Sequence, residues 1–137
     1  MTESGEKMPE TLYDTRFFLE VYTAREPELK RRLEADLKRV RRRYTSAITI
    51  HEIYRVTLQN EGRETAKIRK LAIERDFEVI NVDADIAAEA AEIKVPQGAD
   101  FPLADAIIAA TAILRKLTCF TDDEHIKAVA RVKTRWN

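Results

Sequence analysis

LADAIIAATAILRKLTCFTDDE, residues 103–124, is the stretch that decides the fold. Leu103 to Leu117 is the most apolar helical run in the chain, and it leads into a short apolar strand, Thr118 to Phe120, followed by Asp122 and Asp123. Between Leu103 and Leu114 the only charge is Asp105, which shares a helix face with Ile108, Ala109 and Ala112. A lone carboxylate on an apolar face costs several kcal/mol unless it is paired or binds a metal. No arginine or lysine in that segment offers the pairing.

Outward from this stretch, the chain alternates short apolar runs with longer helical patterns. That is the order of a parallel sheet wrapped by helices, and the fold class read from it is a three-layer α/β/α domain. FEVINV (77–82) is the clearest strand, with Asp83 capping a helix that runs to about Ile93 and VPQGADFP (95–102) as a turn-rich loop. Before it, Tyr44–Ile48 reads as a strand and Thr49–Asn60 as a helix that breaks at Gly62, with a further helix over Arg63–Glu74. Thr11–Tyr13 is the first strand, and an apolar helix carrying Phe17, Phe18, Val21 and Tyr22 follows it. Leu29, Leu33, Leu37 and Val40 fall at helical spacing on one stripe of a strongly basic helix. A short helix from about Asp122 to Ala130 and a strand near Val132–Trp136 close the chain. Residues 1–10 read as a loose polar tail and 11–137 as one domain.

Composition narrows the function classes. The 137 residues contain 24 Lys plus Arg against 24 Asp plus Glu, so no global basic field marks a nucleic-acid binder and any polyanion must be held locally. With one cysteine, Cys119, and no apolar run resembling a signal peptide or a membrane span, the expected setting is the cytoplasm, with no membrane partner.

In a parallel α/β sheet, sites form beyond the carboxyl ends of the strands. Asp14 follows the first strand, Glu52 lies near the start of the helix after the second, and Asp122 and Asp123 follow Phe120. Two carboxylates about 4 to 5 Å apart repel by roughly 3 to 4 kcal/mol at an effective dielectric of 20. Four of them give an upper bound of about 20 kcal/mol, more than the roughly 5 to 15 kcal/mol stability of a whole domain. Protons or cations must relieve that. Oxygen donors suit Mg²⁺ or Mn²⁺, and a carboxylate-held divalent pair is apparatus for in-line phosphodiester hydrolysis.

Each acid also has a structural role open to it. Asp14 can cap the helix from Thr15, Thr49 to Glu52 and Thr121 to Glu124 can form capping boxes, and Asp105 lies near a helix start. His51 and His125 read as surface or cap residues, and Cys119 as a small core residue. Eight basic residues between Lys30 and Arg43 are either a solvated face, with Glu34 and Lys38 paired at i, i+4, or a strip for RNA phosphates that includes Arg39 and Arg42. Arg16 stands close enough to Asp14 in sequence to reach a phosphate at the site. Phe17, Phe18 and Tyr22 serve either the core or a dimer surface.

LYDTRFFL around Asp14, SAITIHEIYR around Glu52, PLADAIIAATA around Asp105 and CFTDDEHI around Asp123 resemble, in order, the four acidic motifs of PIN-domain nucleases. In size and spacing the chain is similar to the toxin ribonucleases of the VapC type. The resemblance covers about residues 11–136, with the basic stretch 30–43 lengthening the interval between the first two motifs. It implies a Mg²⁺- or Mn²⁺-dependent endoribonuclease with a parallel sheet flanked by helices. By position it makes Asp14, Asp105 and Asp123 the metal-site acids, Glu52 the fourth catalytic acid and Thr121 a supporting hydroxyl. Its T-x-D pattern picks Asp123 over Asp122. The partners it implies are an RNA substrate, a small antitoxin protein and a second copy in a homodimer. The rival expectations are a PIN-like RNA-processing or RNA-binding protein without a toxin role, and a receiver-like Mg²⁺-binding module. The second lacks the lysine it would need near Thr118–Glu124.

Overall fold

The structure is a computed structural model that describes residues 8–23 and 25–137. Five parallel strands carry the described chain: β1 (Thr11–Tyr13), β2 (Arg43–Ser46), β3 (Glu78–Ile80), β4 (Thr118–Phe120) and β5 (Thr134–Arg135), in the spatial order β3-β2-β1-β4-β5. Seven helices join them: α1 (Thr15–Thr23), α2 (Pro27–Lys38), α3 (Ala47–Glu61), α4 (Arg63–Asp76), α5 (Ala84–Gln97), α6 (Leu103–Arg115) and α7 (Glu124–Lys127). Strand side chains alternate between the two faces. Leu12, Tyr44 and Cys119 pack with Ile86, Ala90, Ile108 and Ile126 of α5, α6 and α7. Tyr13 and Phe120 point the other way, into Phe17, Phe18, Leu33, Ile53 and Ile73 of α1 to α4. Two cores on one sheet make the three-layer α/β/α arrangement.

Phe17 and Phe18 are therefore core residues, with Phe18 set edge-on to Phe77, and Cys119 is fully buried. The large apolar side chains left exposed are elsewhere, among them Leu58, Ile68 and Leu71 on the α3–α4 hairpin.

Several boundaries move from the sequence expectation for local reasons. β2 stops at Ser46 because the Ser46 hydroxyl accepts from the Ile48 amide at 3.1 Å and starts α3 there. Thr49 then lies buried inside that helix, so Thr49 and Glu52 form no capping box. α5 runs on through Pro96, giving up one hydrogen bond in its last turn, and ends at Gly98 with φ 107°. β3 and β5 are shorter than the apolar runs that signalled them, and α6 ends at Arg115, with Lys116 taking the left-handed cap. Residues 1–7 of the expected tail lie outside the described residues, while Met8 forms a parallel bridge to Val40. Among the described residues no helix is long and apolar enough to cross a membrane.

From β1 the chain winds to β2 and β3 on one side, then crosses back to β4 and β5 on the other. The carboxyl ends of β1 and β4 thus flank the point where the winding reverses, where such sheets open a crevice.

Candidate metal centre

Asp14 is the first residue beyond β1 and is 2% exposed. Its Oδ1 accepts from the Phe17 amide at 3.3 Å, so it does cap α1. Its Oδ2 accepts from the Thr121 hydroxyl, just beyond β4, at 2.5 Å. The same Thr121 oxygen accepts from the Asp123 amide at 2.9 Å. One hydroxyl thereby ties the ends of the two central strands together. This bond takes the place of a capping box, since Asp123 itself caps α7, its Oδ1 accepting from the His125 and Ile126 amides at 2.8 and 3.2 Å.

Asp105 stands in the first turn of α6 and brings its carboxylate to that of Asp123. His125 Nδ1 lies 3.3 Å from Asp105 Oδ2 and 3.5 Å from Asp123 Oδ1, and the three residues can each offer a ligand atom within 4.8 Å of the others. Glu52 is outside this trio. It pairs at 3.8 Å with Arg55, although its charge still reaches Asp105, and Asp14 is outside the trio too, feeling Asp123 and Asp105 only through their charges. Asp122 and Asp123 part company here: Asp122 turns to the rim and takes Arg16 at 3.0 Å, while Asp123 faces Asp105.

Among the described residues no lysine or arginine forms an ion pair with Asp14, Asp105 or Asp123. The consequence is visible in their protonation. Burial pushes the Asp14 carboxyl up to about 7, against the pull of its bonds from Thr121 and Phe17, with the charges of Asp123 and Asp105 adding to the rise. Burial, and then the Asp123 charge, lift Asp105 to about 6, with His125 working the other way. Among the described residues the acids are thus gathered with His125 as the only basic group against them. All three offer oxygen donors, and a divalent cation would restore their ionised forms, so the residues present fit such an ion.

Arg39 and Arg42 lie away from this crevice. Arg42 precedes β2 and pairs with Glu78, the first residue of β3, while the Arg39 carbonyl accepts from Met8, so both sit at the amino ends of the strands. Among the described residues Glu34 and Lys38 form no ion pair, and the helix's half-buried acid, Asp36, is held by Arg135. His125, expected as a surface or cap residue, is exposed and lies beside the Asp105 and Asp123 carboxylates. Its place two residues after Asp123, within one helical turn, was the available signal.

The family model for the PIN domain matches residues 11–132. The chain belongs to the PIN domain family. This membership sets aside the receiver-like module. Solved structures similar to this PIN domain include VapC20 of Mycobacterium tuberculosis, at TM-score 0.75 and 20% identity, covering 92% of this chain and 99% of that one. VapBC2 from Rickettsia felis superposes at TM-score 0.73 with 18% identity, covering 93% and 98%. FitAcB from Neisseria gonorrhoeae gives 0.71 with 25% identity, covering 93% and 96%. Among curated proteins none matches the chain at a significant level.

Proposed function

We propose that this PIN domain is a Mg²⁺- or Mn²⁺-dependent endoribonuclease, the toxin of a toxin–antitoxin pair. The observation that carries the reading is the crevice itself. Acids from separate segments meet where the winding reverses, and among the described residues Asp14 has no basic partner while Asp105 has only the His125 imidazole. Asp105 and Asp123 would hold the ion with Asp14, which lies outside their close cluster but within reach of both charges, and Glu52 would be the fourth acid. When bound, the ion supplies an activated water and stabilises the charge that develops on the phosphodiester.

The chain's own residues set up that chemistry. Thr121 fixes the Asp14 carboxylate and the Asp123 backbone with one oxygen, so the two strand ends cannot drift apart as charge accumulates. Two amides cap onto Asp123 Oδ1 and hold that carboxylate beside Asp105. Arg16, at the rim and paired with Asp122, would meet a phosphate of the RNA strand.

The toxin reading is supported by the company the fold keeps. The VapC20 structure is described as a Sarcin-Ricin loop cleaving toxin, and the Rickettsia protein as a complex bound to DNA from its own promoter. A small antitoxin or a second copy would find uncovered Leu58, Ile68 and Leu71 on the α3–α4 hairpin.

The test is cleavage of a structured RNA with Mg²⁺ or Mn²⁺, wild type against Asp14→Asn. Metal-dependent cutting that leaves 5′-phosphate and 3′-hydroxyl ends, and is lost in the variant, is the expected result. Equal cleavage by both proteins removes the reading. RNA affinity without cleavage under any ionic condition moves it to an RNA-binding PIN protein.

A further inference from the structure

We propose that His125 is a direct ligand of the divalent ion through Nδ1, and that this nitrogen makes the centre select Mn²⁺ over Mg²⁺. The inference rests on the metal-centre reading above and deepens it. Two atoms bound to one small cation, each about 2.1 Å from it, stand between about 3.0 Å apart when adjacent and about 4.2 Å apart when opposite. His125 Nδ1 falls inside that window from both of its carboxylate neighbours, at 3.3 Å from Asp105 Oδ2 and 3.5 Å from Asp123 Oδ1.

The ring is held for the purpose. The His125 amide bonds to Asp123 Oδ1 at 2.8 Å, which binds the backbone of one candidate ligand to the side chain of the other. Phe101, itself buried, meets the imidazole edge-on with ring centres 5.6 Å apart and an interplanar angle of 79°. The plane of the ring is thereby restrained, while its half-exposed position leaves a path for the ion. The rival arrangement is an imidazolium that simply pairs with Asp105 and occupies the cation's place.

Chemistry separates the two. Mg²⁺ is a hard ion that keeps oxygen ligands and gives up water reluctantly, whereas imidazole suits borderline transition ions. An all-carboxylate crevice discriminates weakly between Mg²⁺ and Mn²⁺. One nitrogen donor tilts it toward Mn²⁺.

The experiment uses the metal-stripped full chain. Mn²⁺ binding is followed by loss of the free-ion electron paramagnetic resonance signal, with Mg²⁺ as competitor, and pulsed measurements on the Mn²⁺-loaded protein read nitrogen coupling. The chain has two histidines, so His51→Ala serves as the control. Expected is a ¹⁴N coupling that changes to ¹⁵N on histidine labelling, persists in His51→Ala and disappears in both His125→Ala and His125→Gln. Mn²⁺ affinity should fall about tenfold or more in the His125 variants, with Mg²⁺ affinity changing by less than about threefold. Mn²⁺ bound without nitrogen coupling, or with an unchanged Mn²⁺ to Mg²⁺ ratio in both His125 variants, overturns the proposal and leaves the metal centre standing. No Mn²⁺ uptake by the wild type overturns both.

Discussion

Asp36 and Asp14 are both carboxylates drawn out of water, yet the molecule surrounds them differently. Asp36, on α2, receives both contacts from the Arg135 Nη1 at 2.9 and 3.1 Å, and Arg135 in turn lies over the Phe120 ring and reaches Thr11. Asp14, at the end of β1, receives one hydroxyl and one backbone amide, and its ionised neighbours carry its own sign. The first arrangement is electrically closed and serves the fold. The second is open, and a divalent cation would supply the charge it lacks. Burial alone therefore does not distinguish the two acids; the presence or absence of a counter-charge does.

The largest effect should come from closing the open side. Asp14→Asn removes one negative charge at nearly the same volume, at the expense of one of the two accepted hydrogen bonds, and RNA cleavage should fall roughly 10³-fold or more, consistent with the several kcal/mol a metal contributes to a developing charge. Its melting temperature without metal should hold or rise. Asp36→Asn should do the opposite. Arg135 is left half-paired, and unfolding in urea should show a loss of about 2 to 3 kcal/mol, below the 3 to 5 kcal/mol of a fully buried pair because some solvent reaches both groups. The folded fraction should cleave RNA normally. If Asp36→Asn abolished cleavage at full folding, the division into a structural and a functional acid would fail.

Next in size is the dependence of stability on pH. A carboxyl raised in the folded state stays protonated there after the unfolded chain has lost its proton. Stability is thus retained at low pH and declines as pH climbs from about 4, the ordinary carboxylate value, through about 6 for Asp105 and about 7 for Asp14. Metal-free protein should lose several degrees in melting temperature, ~5 °C or more, across that window relative to Asp14→Asn. Saturating Mn²⁺ should restore the loss at the alkaline end. A wild-type profile parallel to that of Asp14→Asn would show that Asp14 is not held protonated in the free protein. Thr121→Val should cost about 1 to 3 kcal/mol, since it strands a buried carboxylate oxygen and the Asp123 amide, with Thr121→Ser recovering most of it.

How much of this could be read beforehand depends on the range of the interaction concerned. Asp105 was legible because its context is local: a charge alone in LADAIIAATAIL needs a partner whatever the fold. The parallel sheet was legible for the same reason, through short apolar runs between helical ones. The choice between Asp122 and Asp123 was not, because both follow β4 and the distinction is made by Arg16, which takes Asp122 from across the crevice. The approach of His125 to Asp105 was hidden because it depends on where the start of α6 packs. Capping behaved similarly at short range. Ser46 competes with Thr49 for the start of α3, and only the geometry of β2 decides between them. A run of basic residues, finally, says that a face is charged and nothing about which end of the sheet it occupies.

That last point supplies the smallest and most discriminating test. Arg16 stands on the crevice side and shares its guanidinium with Asp122, whereas Arg39 and Arg42 lie at the amino ends of the strands, where Arg42 is occupied by Glu78 and the Tyr44 ring. Arg16→Ala should raise KM for RNA by a few-fold, about 2 to 5, and reduce the slope of affinity against salt by about one phosphate contact, with kcat nearly unchanged. Arg42→Ala should leave both untouched, and its exposed ion pair is worth too little for its loss to be measured in stability. Arg39→Ala should behave like Arg42→Ala. If all three variants weakened RNA binding equally, the strand would have to pass around the molecule from the acid-rich edge to the basic one, and the separation of roles between the two ends of the sheet would no longer hold.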